Sequence, residues 1–339
     1  MINLASITSE PKILTVQARL ATADHWDHFL ARLGWKRAGH RVEPGLYAVG
    51  KPTPDSPVFV SANYTLSFDA LRSSLEGIDG YILVLDTKGI NVWCAAGKGT
   101  FGTDEIVNRV FVTHLKDVVT QRKLILPQLG APGVAAHEVK KRTGFWVEYG
   151  PVRAADLPEY LKTHNASPQM RKVAFPLRDR LVLIPVDLLR LIPYTLAAAI
   201  VLYFVGGWIS SLAALATVLA GTVLFPILLP WIPTHNFSTK GFLLGLLAAL
   251  PFALSPVFRH PDWSWYHRLG QALEFLLAMP AVTAFIALNF TGSTTFTSRS
   301  GVKREMFAYI PAMAWTFGTG LLLAILFICS LRTYPGIME

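Results

Sequence analysis

The 339-residue sequence is poor in cysteine, with only Cys94 and Cys329, and poor in charge, with 16% charged residues. Two thiols cannot build a disulfide framework or supply the four thiolates of a chain-borne iron–sulfur cluster, so any such cluster must come from a partner. So little charge beside 52% apolar residues excludes an ordinary soluble protein and places part of the chain in lipid. The sequence has no HExxH motif, no cysteine–histidine cluster and no GxSxG. The string GKGTFG does not satisfy the phosphate-loop pattern GxxxxGK[ST]. It also lacks a basic run with interleaved aromatics, so the net charge of +9 reads as Lys and Arg flanking membrane spans and not as a nucleic-acid surface. The start, MINLASITSEPKILTV, lacks the three regions of a signal peptide, and the N-terminal part is expected to stay in the cytoplasm.

Charge distribution divides the chain. Leu191 to Thr239 contains no Asp, Glu, Lys or Arg, enough for two spans of about 20 residues joined by a turn at Gly206, Gly207, Ser210 and Ser211. Further apolar stretches bring the expected spans to five, at about 188–208, 211–232, 240–258, 271–290 and 307–331. Arg171, Lys172, Arg178, Arg180, Arg190, Lys240, Arg299, Lys303 and Arg304 fall on one side of this pattern. Arg259, Arg268 and Arg332 fall on the other. Because Lys and Arg are retained inside, the expectation is a multi-pass protein of the cytoplasmic membrane with its C-terminus outside. The expected organisation is a cytoplasmic domain over 1–166, a basic linker over 167–187 and a transmembrane domain over 188–339.

The first half alternates short apolar runs with amphipathic segments, the pattern of an α/β domain with a mostly parallel sheet. Expected strands are Gly45 to Val49, Val58 to Ala62, Tyr81 to Asp86, Lys123 to Pro127 and Phe145 to Tyr149. Expected helices are Ser67 to Leu75, Asp104 to His114, Ala135 to Arg142 and Ala154 to Lys162. In such sheets ligands bind beyond the carboxyl ends of the strands. Here those ends lead into Asn63-Tyr64-Thr65, Thr87-Lys88-Gly89, Gln128 to Gly133 and Gly150-Pro151, a rim suited to a large planar ligand approached by backbone.

One segment at that rim carries a candidate for chemistry. After YILVLD the chain turns into NVWCAAGK, with Asn91 placed as an N-cap and Cys94 in the first turn of a short helix. The positive end of the helix dipole and its unpaired N–H groups favour a thiolate there, a soft and strongly donating metal ligand. By position alone Cys94 also reads as a small buried hydrophobe, the commoner fate of a cysteine, and Cys329 in its apolar span reads only that way.

The string NVWCAAGK resembles the signature of the mercury-methylating corrinoid protein family (HgcA). The surrounding stretch, SANYTLSFDALR through YGPVRAADLPEYL, is similar to the corrinoid domain of the corrinoid iron–sulfur proteins of the acetyl-CoA pathway. The hydrophobic tail, with NFTGSTTFTSRSGVKREM before the last span, also resembles the mercury-methylation family. The fold this implies is an α/β Rossmann-like corrinoid-binding domain followed by an all-α transmembrane domain of five helices. The cofactor implied is a cobalt corrinoid, cobalamin or a relative, with its lower-ligand base displaced and Cys94 as the lower cobalt ligand. The activity implied is anaerobic methyl transfer to mercury(II). In the corrinoid iron–sulfur relatives the matching helix carries no thiol, which makes Cys94 the distinguishing element. The partners implied are a ferredoxin with two [4Fe–4S] clusters (HgcB) as reductant, a folate-derived methyl donor or its methyltransferase, and membrane lipid. The resemblance places Asn91, Val92, Trp93, Cys94, Ala95, Ala96, Gly97 and Lys98 at the cofactor. Thr100 and Phe101 follow the helix; Asn63 and Thr65 end a strand, where a helix-capping role is equally open. Gly130, Ala131 and Gly133 offer close backbone approach, and Tyr149 borders the site. His137 is a less apt ligand, because AAHEVKK is not the Asp-x-His-x-x-Gly motif by which other corrinoid proteins bind cobalt. A corrinoid methyl carrier of one-carbon metabolism, sharing the cofactor but not the acceptor, is the alternative.

Overall fold

The computed structural model describes residues 11–36, 39–294 and 299–333. Residues 1–10 of the opening segment and 295–298 of NFTGSTTFTSRSGVKREM lie outside that set. The chain divides into two compact units, Met1–Ala174 and Phe175–Glu339.

The first unit is built on a six-stranded sheet of β1 (Ile13–Val16), β2 (Gly45–Val49), β3 (Val58–Ala62), β4 (Gly80–Leu85), β5 (Lys123–Leu126) and β6 (Trp146–Tyr149), in the spatial order β1-β2-β4-β3-β5-β6. The strands β4, β3, β5 and β6 run parallel, whereas β2 pairs antiparallel with β4 and carries β1 parallel on its outer edge. The sheet is therefore mixed, where the alternation of segments predicts mostly parallel strands. Every residue of β3 and β4 is buried, which explains why both strands are apolar apart from the small Ser61.

Helices cover both faces. On one, α2 (Thr65–Ser74) and α7 (Leu157–Thr163) bury Phe68, Leu71, Leu75, Leu157 and Tyr160 against Phe59, Ile82 and Ile125. On the other, α3 (Val92–Lys98), α4 (Thr103–Val112), α5 (Leu115–Val118) and α6 (Ala136–Thr143) bury Ala95, Ala96, Ile106, Val110, Leu115 and Val139 against Val60, Leu83 and Leu124. The inward residues alternate between faces along each strand with the period of two that a pleated strand imposes. Helix α1 (Thr22–Leu33) and strand β1 precede everything the apolar pattern identifies. The unit runs on past residue 166, for Ala166 and Met170 are buried in the α2/α7 face.

Connections from β3 lead outward to β4, and those from β5 lead to β6 on the opposite side. The carboxyl ends of β3 and β5 thus flank a topological switch point, where the diverging connections leave a crevice. The loops at this rim are 63–64, 86–91 and 127–135.

The second unit is helical: α8 (Leu177–Leu181), α9 (Ile184–Leu219), α10 (Phe225–Leu228), α11 (Phe237–Arg259), α12 (Trp265–Asn289) and α13 (Arg299–Thr333). By length and composition four stretches are able to cross a membrane: Leu177–Leu228, Phe237–Arg259, Trp265–Asn289 and Ser300–Cys329. The sequence pattern predicts five, and the difference lies in the first. The stretches expected at 188–208 and 211–232 fall in one helical run, broken in backbone conformation at Gly207 (φ 73°, ψ −173°). Of the residues expected to form a turn there, Ser210 returns its hydroxyl to the Gly206 carbonyl at 3.1 Å. A π-helical segment, Ala220–Leu224, joins α9 to α10.

Inside this unit α11 and α12 pack at backbone distance. A Cβ on Gly241 would lie 2.5 Å from that of Ala287, and one on Gly245 would lie 2.6 Å from Cα of Pro280. Two glycines four residues apart are what such a close crossing needs.

Candidate functional site

The rim is assembled around Asn63. Its side chain is 1% exposed. Its Oδ1 accepts from the Thr87 amide at 3.1 Å, the Thr87 hydroxyl at 2.9 Å and the Gly89 amide at 3.0 Å. One buried amide at the end of β3 therefore fixes the loop that leaves β4. Thr87 is itself fully buried and its hydroxyl also reaches the Ile90 carbonyl at 2.7 Å. Gly89, with φ of 72°, makes a left-handed turn that an L side chain rarely adopts. Asp86 pairs with Lys88, and its backbone N–H donates to Glu105 at 2.8 Å. Burial would raise the Asp86 carboxyl, but hydrogen bonds from Lys88 and the charges of Lys88 and Arg109 hold it below its ordinary value.

This loop delivers the chain to α3. Asn91 is the N-cap, its side chain accepting the Cys94 N–H at 2.9 Å, and Gly99 closes the helix in the left-handed conformation. Only seven residues long, α3 has two unlike faces. Ala95 and Ala96 turn inward, 0% and 5% exposed, into the core. Asn91, Gly97 and Lys98 are exposed and Cys94 is half-buried. A Cβ built on Gly97 meets nothing within 4 Å. The outward face is therefore small, with open space above it and one thiol set into it.

Behind α3 lies the turn Gln128–Gly133. A Cβ on Gly133 would sit 2.2 Å from the Phe101 carbonyl and 3.0 Å from Cα of Ala96; one on Gly130 would sit 2.5 Å from the Phe101 ring. The close approach these glycines permit is to the chain itself. Phe101, expected over the cofactor, is 0% exposed and forms part of the core. Asn63 likewise supports the rim from beneath and does not cap α2, whose N-cap residue is Tyr64. Thr65 is half-buried at the start of α2, with its amide donating to the His40 carbonyl. Tyr149 ends β6 and donates its hydroxyl to the Val134 carbonyl at 2.9 Å, and the Ala135 amide donates to the Thr103 hydroxyl at 2.8 Å. These bonds lock the 128–135 turn between α4 and β6. Val92, Trp93, Thr100 and Ala131 are half-buried at the edge. His137 is solvent-exposed on α6.

Thr87, Asp86 and Glu105 form the loop's polar frame. The sequence places Thr87 at the rim and Asp86 at the end of its strand but gives neither a role, and nothing in it singles out Glu105. Among the described residues no group of three or more His, Cys, Asp or Glu is placed to hold a metal ion.

The fold and rim define the class: a mixed α/β domain with helices on both faces of its sheet and a thiol-bearing helix beside the switch point. Residues 35–161 match the family model described as CO dehydrogenase/acetyl-CoA synthase delta subunit. Every rim residue named above falls within that match. Over 128 residues the chain is 34% identical to the acetyl-CoA decarbonylase/synthase complex subunit gamma of Methanopyrus kandleri, covering 37% of this chain and 27% of that one. It is 33% identical over 124 residues to the subunit of the same name from Archaeoglobus fulgidus, covering 36% and 26%. Over 153 residues it is 28% identical to the corrinoid/iron–sulfur protein large subunit of Moorella thermoacetica, covering 42% and 34%. The chain thus spans about a quarter to a third of the length of these relatives.

Proposed function

We propose that the first unit is a corrinoid-binding methyl carrier, tethered to the cytoplasmic membrane by the second. The observation that carries this reading is the outward face of α3. It is a small-residue surface at the switch point, within the segment similar to a corrinoid/iron–sulfur large subunit. The residues fit such a group: the space beside Gly97 is open, so a ligand can approach the helix backbone there, and Cys94 offers one soft donor. A metal that arrives inside its own ring would need no cluster of protein ligands, and Cys94 would be the residue to hold it. When bound, the corrinoid supplies the cobalt that carries the methyl group. Cys94, Gly97 and Lys98 would hold it from the α3 side, with Thr65 and Ala131 at its edge. Asn91 orients Cys94 by accepting its amide, and Asn63 and Thr87 keep the helix entry fixed. With two cysteines in the chain, reduction depends on a separate protein, in this proposal a ferredoxin with two [4Fe–4S] clusters.

The finer reading is that the methyl acceptor is mercury(II), giving methylmercury. Cys94 favours it. As a soft, strongly donating thiolate, Cys94 would make the metal it held more electron-rich, which would suit an electrophilic acceptor. The test is the full chain loaded with cobalamin, reduced and methylated, then offered either mercury(II) or an acetyl-CoA synthase. A corrinoid absorption spectrum is expected, with methylmercury formed by the native chain and lost in Cys94→Ala. Transfer to the synthase alone would leave the carrier reading standing and remove mercury. Absence of any corrinoid spectrum would remove both.

For the membrane half, the proposed arrangement is five spans, with Leu177–Leu228 a hairpin turning at Gly207. Its support is one pair of hydrogen bonds. Arg180 donates to the carbonyls of Pro226 and Ile227, each at 2.7 Å. A straight helix would hold residues 46 apart at a distance of about 70 Å. Phe175 and Leu183 also pack in one cluster with Phe225, Leu229 and Phe290. Arg178, Arg180, Lys240, Lys303 and Arg304 then share the cytoplasmic side, and the C-terminus lies outside.

A further inference from the structure

Helix α1 is inverted: its polar residues face the protein and its aromatic residues face out. Asp24 pairs with Arg72 at 2.7 Å, His28 with Asp69 at 2.7 Å and Asp27 with His40 at 2.7 Å. Asp69 and Arg72 are almost wholly buried in α2, so these bonds pin α1 in one rotational setting. No residue of α1 is buried. On its far side Trp26 is 61% exposed and Phe29 49%, their rings stacked at 5.4 Å, and Trp35 just beyond the helix is 61% exposed. A surface helix in water carries the opposite arrangement. A stacked pair of exposed aromatics on a helix pinned by a polar network, with a third exposed aromatic just after it in sequence, marks a surface that something covers.

We propose that this face docks on the headgroup layer of an anionic bilayer. Three features select a lipid surface over a protein. Trp and Phe above a basic fringe form the outward pattern of helices that lie in the interfacial plane, where an indole sits with its ring apolar and its N–H wet. The charges agree. Arg32 and Lys36 are exposed in the same stretch of chain as the aromatics, whereas both acidic residues of the helix are turned inward and paired. The cytoplasmic leaflet is negative and attracts such a fringe. Finally, the chain carries its own apolar spans, so a bilayer is present at high effective concentration without a separate encounter. Docking would restrict how freely the domain moves on its tether. This part of the proposal does not depend on which cofactor the rim binds.

The test places a benzoylphenylalanine photo-crosslinker at Phe29 of the full chain, in liposomes of equal parts phosphatidylcholine and phosphatidylglycerol. The same probe at Phe111, an exposed aromatic of α4, is the control. Both sites are open, so neither probe strains the fold. Lipid adducts are expected at position 29 in several-fold excess over position 111. The double variant Arg32→Glu, Lys36→Glu should lower them about tenfold or more, since each basic side chain at an anionic surface contributes roughly fivefold. High salt should act in the same direction. Equal yields at the two positions would overturn the proposal. So would adducts to a second copy of the chain, or lipid adducts that appear only after a soluble partner is added.

Discussion

The two units face the same problem, buried polar groups, and solve it with different chemistry. In the first, side chains bridge distant parts of the backbone: Asn63 ties β3 to the β4 loop, and Arg72 joins α2 to Asp24 and the Gln17 carbonyl. In the second, polar side chains mostly serve the helix that carries them. Thr195, Ser210, Thr217 and Thr222 each return a hydroxyl to the carbonyl four residues back. Arg180 and Lys240 give their charges to carbonyls where a helix ends, Lys240 at 2.9 Å from Leu229 and 2.5 Å from Ile232. In a helix apolar enough to cross a membrane, a hydroxyl returned to its own helix leaves no polar group facing outward. Longer-range bonds in this unit, such as Ser238 to Glu305 and Asn236 to Tyr309, join one helix to another, whereas in the sheet domain they frame the rim beside α3.

The strongest way to break this contrast is to separate the units by a single atom. Gly133→Ala puts a methyl 2.2 Å from the Phe101 carbonyl and beside Cα of Ala96, where only backbone movement relieves it. We expect the sheet domain to lose about 3 kcal/mol or more. Its calorimetric transition should shift sharply while that of the helical unit stays in place. A single joint shift would mean that the two units unfold as one.

Next in size is Asn63→Ala, which leaves the Thr87 and Gly89 amides without their acceptor in a buried loop. A loss of about 2–3 kcal/mol is expected, with faster amide exchange confined to residues 86–91 and α3. Exchange that rises evenly across the domain would deny Asn63 a local role.

These two sites also show what the sequence makes legible. Strand positions can be read to within a residue because β2 to β6 are short apolar runs bounded by turn residues, and NVWCAAGK announces its own N-cap. Strand β1 and helix α1 escaped because nothing in α1 is buried and its aromatics point outward, against the rule by which helices are found. The antiparallel pairing of β2 leaves no trace in a single strand's pattern, for pairing direction is a property of two strands. Gly130 and Gly133 were visible as glycines, but a sequence cannot say whether the space they leave belongs to a ligand or to Phe101. Gly207 is a different case: the charge-free stretch predicts a turn there, and the structure has one helical run whose backbone leaves helical geometry at that residue.

Smaller again is an acid effect in the sheet domain. Glu148 on β6 accepts from Tyr160 at 2.5 Å, His164 at 3.0 Å and Lys123 at 2.8 Å. Burial would raise its carboxyl, but these partners outweigh it and push it down to about 2. A carboxyl lower in the folded state than in the unfolded one stabilises the fold above its unfolded value, near 4.3, and that contribution fades as pH falls toward 2. After discounting for partial exposure it is worth about 1–2 kcal/mol. Melting of the native chain should therefore decline between about pH 5 and pH 2. In Glu148→Gln it should start lower at neutral pH and decline less over that interval. Parallel curves for the two proteins would show that the cluster contributes no acid sensitivity.

The smallest expected change in stability carries the most weight for function. Gly97→Leu adds a side chain where a Cβ meets nothing within 4 Å, on a helix whose packing residues, Ala95 and Ala96, are untouched. Replacing glycine inside a helix gains roughly 0.5–1 kcal/mol in propensity, so the domain should be as stable as the native one or slightly more so. The proposed function requires the opposite outcome for the ligand, because the same isobutyl group occupies the space assigned to the macrocycle beside Cys94. Cobalamin uptake, read from the absorption spectrum of the full chain, should fall by at least tenfold while melting is unchanged or improved. Gly97→Ala should lie between. A leucine variant that takes up corrinoid like the native chain would move the cofactor off α3, and with it the assignment of Cys94. The thiol would then revert to a half-buried residue of a short helix, and the sheet domain's polar frame would need another purpose.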